Sequence, residues 1–501
     1  MKKYSFLTFL LCLFIAFTGC NDWLEVEPSD KIDDSKLFSS YEGFRTSLNG
    51  IYQAISDGKL YGREMSWGTA SVIGQDYRSG STGTSSYYQY LHIHDYERST
   101  VKSIQSNMWA TAYNAIANCN KLIKEIENKD GSFFPFGIEE KKMIMGEALA
   151  LRGFLHFDMA RLFAPAPSTK DDGAYVPYHT DFPSYYVGKS KTSELLEKVI
   201  ADLEKAKDLV ITWDTLPDFY RYVYSLTYRF PSSYLYKPES EFFGSRGFRM
   251  NYVAICGMLA RVYLYAGNYS KAKEYAQYIY DHFGPKGTPP WGSASSKWFK
   301  FTSSTYFGAT SASLNYVKQY DDIIFALYDP NLLENIRTYK GTSTYMRINM
   351  TAFDFAGWDN GDDWRKKLII TDPKSASYYI CQKWEDTGST AAAVKLQYNL
   401  IPILRLSEIY YILSECLYQE GDEAGAINIL FEVASSRGAK RKMDAAKFYD
   451  ELLWEYRKDF MTEGQTFFAY KRLNKNFVIG TQTIDMSKKW VFPLPDKEEI
   501  F

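Results

Sequence analysis

The sequence predicts a mainly α-helical chain, built from tetratricopeptide-like helix pairs and interrupted by long loop-rich insertions. Three observations carry this. Apolar residues recur at steps of three and four through several long segments. Two segments repeat one helix–turn–helix logic. Between the periodic segments lie stretches rich in Gly, Pro, Ser and Thr where the rhythm stops.

The first helix starts at Ser40, a residue type that caps by accepting a backbone N–H. It carries Tyr41, Phe44, Leu48, Ile51 and Ile55 on one face. Residues 58–100 lack the rhythm and read as a long loop region punctuated by Gly58, Gly62, Gly68, Gly74, Gly80 and Gly83. Helix resumes near Lys102, with Met108, Ala112, Ala115, Cys119, Leu122 and Ile126 in one stripe. The next helix, from about Glu139 to Phe163, turns Ile144, Ala148, Leu151, Leu155, Met159 and Leu162 inward. Pro165 stops it, because proline supplies no N–H and biases its predecessor away from helix. Another helix runs from about Ser193 to Val210. Residues 212–250 break the pattern with Pro217, Pro231 and Pro238 among aromatics. Helices then follow at about 251–266 and 270–283, and a loop- and strand-like region at 284–399. Helices return at about 404–420, 423–436 and 444–461.

The internal echo pairs Leu259–Asn268, followed by Ala272, with Leu413–Asp422, followed by Ala426. In each, a Gly ends one helix and an Ala five residues later lets the next helix pack closely. The copies lie 154 residues apart, so this is not a regular tandem array; an ordinary antiparallel helix pair, which also needs a small turn residue, is the alternative reading.

Composition narrows the function. The chain holds 42 Tyr, 33 Phe and 11 Trp, or 17% aromatic residues, and its formal charge is −2. Nucleic acid is not expected as a partner, because phosphate neutralisation needs concentrated Lys and Arg. The excess to explain is aromatic. Most of it belongs in the core, but Tyr joins an apolar face to a polar tip and suits binding surfaces as well.

The N-terminus reads as an address. Lys2 and Lys3 precede an apolar run from Phe6 to Phe17, too short to span a bilayer and fitting a signal segment. It ends in Phe17-Thr18-Gly19-Cys20, which is similar to a bacterial lipobox. Residues 1–19 are therefore expected to be a lipoprotein signal peptide, with acyl chains on Cys20 as the anchor; an ordinary secretory cleavage site is the competing reading. Cys119, Cys256, Cys381 and Cys416 form no CxxC pair and are expected to be free and structural.

The assembled stretches resemble the SusD-like (RagB/SusD) outer-membrane lipoproteins. The resemblance rests on Cys20-Asn21-Asp22-Trp23 after the lipobox, Asn49-Gly50-Ile51-Tyr52, and Trp109-Ala110-Thr111-Ala112-Tyr113-Asn114. The most specific stretch runs from Gly146-Glu147-Ala148-Leu149-Ala150-Leu151-Arg152-Gly153-Phe154 to Phe163. Ile401-Pro402-Ile403-Leu404-Arg405 and Phe492-Pro493-Leu494-Pro495 follow. The region Tyr456–Gln465 only approximates the family's Glu- and Arg-rich helix and Gly-His-Arg. The resemblance implies one compact unit with an N-terminal region at 20–215 and a C-terminal region at 216–501. It also implies a surface lipoprotein of the outer membrane that binds an oligosaccharide and passes it to a SusC-like TonB-dependent transporter, with no catalysis and no cofactor. A scaffold for peptides or proteins, and a surface glycan hydrolase or lyase, are the alternatives.

Sugar rings pack C–H faces on aromatic planes, and their hydroxyls need hydrogen-bond partners. Residues 61–96 supply that mixture in Trp67, Asp76, Tyr77, Arg78, Tyr88 and Tyr90. Residues 291–320 supply Trp291, Trp298, Tyr306 and Tyr320. These ten are the candidate ligand-binding residues, with packing as the alternative role of each. No metal site is expected: His92 and His94 lack a third ligand, and the run Asp359–Asp363 departs from EF-hand spacing and reads as a solvated acidic turn. Glu147 is expected to pair with a cation such as Arg152. No GxSxG, GxxxxGK[ST] or HExxH motif is present.

Overall fold

The computed structural model describes residues 34–79, 86–224, 229, 241–244, 246–288, 290–291, 299–304, 316–340, 346–388, 395 and 397–496. The signal segment, Cys20, Trp298 and Tyr306 lie outside them.

Helix α1 (Tyr41–Ile55) begins where the Ser40 side chain accepts the Gly43 N–H at 3.3 Å, and it buries Phe44, Leu48, Ile51 and Ile55. Helices α2 (Ser99–Glu127) and α3 (Gly137–Phe163) are long and central. From Met143 to Phe163 every residue of α3 is buried, so it is apolar or ion-paired all round. It ends at Ala164, held extended before Pro165. Helix α4 (Thr192–Asp214) packs tightly on α3: a Cβ on Gly146 would stand 2.6 Å from Val210 Cγ1.

The helix pairs stand where the echo places them. Helices α5 (Tyr252–Tyr265) and α6 (Tyr269–Phe283) turn at Gly267, whose φ of +80° lies in the left-handed region. Helices α7 (Leu406–Gln419) and α8 (Glu423–Ser436) turn at Gly421, φ +89°. Ala272 and Ala426 are both fully buried. Tyr280 on α6 meets Tyr410 on α7 with ring centroids 5.0 Å apart, joining the pairs. Helices α9 (Phe448–Asp459) and α10 (Gln465–Leu473) follow.

Among the described residues, four two-stranded antiparallel sheets decorate this scaffold: β1 (Ala174–Pro177) with β2 (Lys189–Lys191), β3 (Ile323–Tyr328) with β6 (Leu400–Arg405), β4 (Ile369–Asp372) with β5 (Ser375–Cys381), and β7 (Phe477–Ile479) with β8 (Gln482–Ile484). The β6 strand is buried at every residue, which explains its continuous apolar run. The stretch 58–100 is less loop-like than its glycines suggest, since it holds the short helices Thr69–Ile73 and Ser86–His92.

A buried ionic network ties the C-terminal half together. Arg405 bridges Asp322 and Glu463, each at 2.6 Å, and Glu463 also binds Lys383 at 2.7 Å. Asp322 also binds Arg437, which reaches Asp459 at 3.3 Å. Asp459 binds Arg365 at 2.5 Å, and Arg365 reaches Glu455 at 2.7 Å. Such chains add little net stability over apolar packing, but removing one partner strands a buried charge. The four cysteines among the described residues are free and buried, and burial pushes the Cys119, Cys256 and Cys416 thiols up to about 12.

Candidate functional site

The structure sorts the expected ligand residues by exposure. Trp67, Tyr77, Tyr88 and Asp76 are core residues, at 4%, 3%, 1% and 0% exposure. Their polar atoms are engaged internally. Trp67 Nε1 donates to the Gly62 carbonyl at 2.8 Å, and the Tyr77 hydroxyl donates to the Trp67 carbonyl at 2.8 Å. Asp76 accepts the Thr462 N–H at 3.0 Å and faces Arg457 at 3.5 Å. Tyr90, Trp291 and Tyr320 are half-buried. Arg98 covers the Tyr90 ring at 4.8 Å, Trp291 sits among Tyr224, Tyr252 and Phe283, and Tyr320 meets Tyr316 edge-on. Arg78 is exposed.

The Gly- and Ser-rich stretch looked exposed because its side chains are small and polar. In fact they close the local backbone on itself: Ser66 Oγ donates to the Tyr61 carbonyl, Ser71 Oγ to the Ser66 carbonyl, and Thr69 Oγ1 to Glu64. A segment satisfied in this way can be buried without orphaned polar groups.

Arg78 marks a surface that the sequence reading missed in part. Residues 76–78 pair with 347–349: Tyr77 bridges Ile348, the Arg78 N–H donates to the Arg347 carbonyl at 2.9 Å, and the Asn349 N–H to the Asp76 carbonyl at 2.9 Å. On the other side the Ile348 N–H donates to the Tyr379 carbonyl at 2.8 Å, so 347–349 lies between 76–78 and β5. Side chains alternate across this small sheet. Tyr77, Met346, Ile348 and Cys381 turn inward, and Trp67 and Trp384 join them there with ring centroids 6.5 Å apart. Trp384 is fixed from two directions: its Nε1 donates to Thr462 Oγ1 at 2.8 Å, and the Lys318 ammonium stands 3.4 Å from its ring centroid.

The other face is polar and aromatic. The guanidiniums of Arg347 and Arg78 stand 3.6 and 4.7 Å from the Tyr378 ring centroid. Arg347 Nε also binds Asp372 at 3.2 Å. Guanidiniums held against an aromatic ring keep their planar donor edges oriented, and those edges suit hydroxyl and carboxylate oxygens. Tyr379, the next residue of β5, is exposed. Isolated arginines and tyrosines far apart in sequence gave no signal of this meeting; the strand pairing creates it.

Two expectations about charge need correction. Glu147 does not pair with Arg152. It binds Arg249 at 2.8 Å and Arg246 at 2.9 Å and accepts the Tyr52 hydroxyl at 2.5 Å, while Arg152 binds Asp202 at 2.6 Å. Arg152, five residues on along the same helix, points to another face; chain folding supplied the cations. The Asp359–Asp363 run is a solvated turn only in its middle: Asn360 and Asp362 are exposed, but Asp359 and Asp363 are 2% and 0% exposed. With Glu455 they form a carboxylate group of the kind that ligates cations, and the Lys458 ammonium lies among the three at 3.0, 3.0 and 2.5 Å. His94 Nε2 lies 3.0 Å from the Ile73 carbonyl, and burial pulls the ring down to about 4.

Residues 22–221 match the family described as starch-binding and associating with the outer membrane, and residues 329–491 match the SusD family. The chain belongs to the SusD-like family. Two SusD-like proteins of Formosa agariphila are similar, one 25% identical over 287 residues (56% of this chain, 46% of the relative), the other 26% identical over 217 residues (41% and 38%). The matches thus span less than half the length of these relatives. A SusD superfamily protein of Bacteroides thetaiotaomicron superposes with a TM-score of 0.67 at 20% identity, over 92% of this chain and 98% of that one. A SusD-like carbohydrate-binding protein of Bacteroides vulgatus gives 0.65 at 19% identity, over 92% and 96%. The SusD-like fold accounts for the mainly helical architecture.

Proposed function

We propose that this SusD-like chain is a non-enzymatic glycan-binding protein of the outer-membrane surface, anchored through acyl chains on Cys20. It captures oligosaccharides and delivers them to a SusC-like TonB-dependent transporter. The observation that carries the glycan reading is the Arg78–Tyr378–Arg347 stack. It presents oriented donors on an aromatic ring at the exposed side of the sheet next to the Trp67–Trp384 core, in a family described as starch-binding.

The test is calorimetry of the full chain in mild detergent against a broad oligosaccharide panel, with product analysis of each incubation. Binding without cleavage is expected. Product formation would favour a hydrolase or lyase, and tight peptide binding with no glycan binding would favour the scaffold. Cys20→Ala should release the protein from membranes; unchanged partitioning would count against the lipid anchor.

A further inference from the structure

We propose that the chain holds a second ligand site, a cavity at the α5–α6 turn that takes a neutral mono- or disaccharide. It shares no residue with the Arg78–Tyr378–Arg347 surface and does not rest on the reading of that surface.

The cavity has a volume of about 390 Å³, a scale that suits a small ligand. Four segments far apart in sequence wall it: the turn Pro167–Thr169 after α3, the end of α5 with the Gly267 turn, the start of α9 and the end of α10. Pro167, Leu264 and Leu473 give it apolar surface. Tyr269 and Tyr449 line it half-buried, so each offers a ring face together with a hydroxyl.

The charges in the wall are already balanced. Arg472 donates to both oxygens of buried Glu415, at 2.7 and 2.5 Å, and Lys475 binds Asp450 at 3.0 Å. An ion entering here would leave water without an uncompensated partner to meet, so the site favours a neutral ligand.

Hydroxyl chemistry is what stays open. The Tyr269 hydroxyl makes no hydrogen bond to a described residue. The Tyr449 oxygen accepts from Gln419 Nε2, which leaves its own O–H to donate. Tyr265 also lines the cavity; it is 4% exposed, and its hydroxyl has no hydrogen-bond partner among the described residues. A buried hydroxyl left unpaired is destabilising, and a ligand oxygen is the partner this cavity can admit. Three phenols among apolar walls match what a sugar ring presents, C–H faces edged by hydroxyls.

The experiment titrates the full chain in mild detergent with glucose, galactose, mannose, xylose and maltose, by ligand-observed NMR and calorimetry. At least one of these sugars should bind. Tyr265→Phe removes only the unpaired hydroxyl. Unliganded, this variant should melt no lower than the native chain, yet its affinity for that sugar should fall about fivefold. Tyr449→Ala removes one ring and should weaken binding about tenfold. Native affinity in both variants, or no binding of any of these sugars, would overturn the site. Affinity lost from Tyr265→Phe only along with melting temperature would mark a packing defect and count against it. Longer oligosaccharides still bound by both variants would leave the reading of the Arg78 surface standing in either case.

Discussion

Lys458 Nζ lies 3.0 Å from Asp359 Oδ2, at the centre of three buried carboxylates. The ammonium does there what a bound cation would do: it neutralises a site too dry to hold Asp359, Asp363 and Glu455 with Arg365 as the main counter-charge. Lys458→Met should therefore cost about 3–5 kcal/mol of stability, the usual penalty for breaking a buried ion pair by removing one partner. The same substitution leaves an oxygen-lined group that suits a hard cation. Millimolar calcium should then raise the melting temperature of Lys458→Met and leave the native protein unchanged. A variant as stable as the native chain would mean that the carboxylates are protonated or hydrated instead.

The scaffold was legible where one periodicity ran long enough to name an element and its face. The α1 stripe, the α3 stop at Pro165 and the Gly267 and Gly421 turns follow from local chemistry that tertiary contacts did not override. The site was only partly legible. Arg78 stood in the expected stretch, but Tyr378 and Arg347 reach it through strand pairing across hundreds of residues, which no local pattern encodes. Aromatics in a Gly-rich stretch looked exposed, yet Trp67 and Tyr77 are core, because Ser and Thr side chains satisfied the turns around them.

Asp76 gives the protein a pH signature. Burial pushes its carboxyl up to about 7, against the pull of Arg457 and the Thr462 N–H. A raised folded-state value means the protonated form is favoured by folding. The contribution is fully present below the unfolded value, near 4, and is lost as pH rises through about 7. Asp76→Asn keeps the acceptor for Thr462 and cannot ionise. Relative to Asp76→Asn, the native chain should lose stability steadily from about pH 4 to about pH 7.5, read as urea midpoints. His156, pulled down to about 3 by burial, drives the opposite trend but is common to both proteins and cancels in the difference. A difference that stays constant over that range would show that Asp76 is ionised throughout.

Two glycines make a matched pair. Gly50 lies on α1, where an added Cβ would meet nothing within 4 Å, whereas at Gly146 a Cβ would stand 2.6 Å from Val210 Cγ1 and 3.1 Å from the Ala206 carbonyl. Both gain about 1 kcal/mol of helix propensity on changing to Ala. Gly50→Ala should keep that gain. Gly146→Ala should lose it to overpacking of about 1–3 kcal/mol, for a net destabilisation. Thermal melts of the two variants, expected to shift in opposite directions, check how closely α3 and α4 approach.

The last prediction separates binding from packing across the small sheet that carries Arg78. Trp384 lies on its inner side at 4% exposure, held by Thr462 and Lys318. Trp384→Ala should open a cavity and cost about 3–5 kcal/mol. Arg78 lies on the outer side and is exposed, so Arg78→Ala should change stability by no more than about 0.5 kcal/mol. Its effect should fall on ligand affinity, because one of the two oriented donor forks on Tyr378 is gone. A melting curve and a titration on each variant give four numbers. If Arg78→Ala lowers the melting temperature as far as Trp384→Ala does, the outer face is structural and the glycan contact lies elsewhere on the chain.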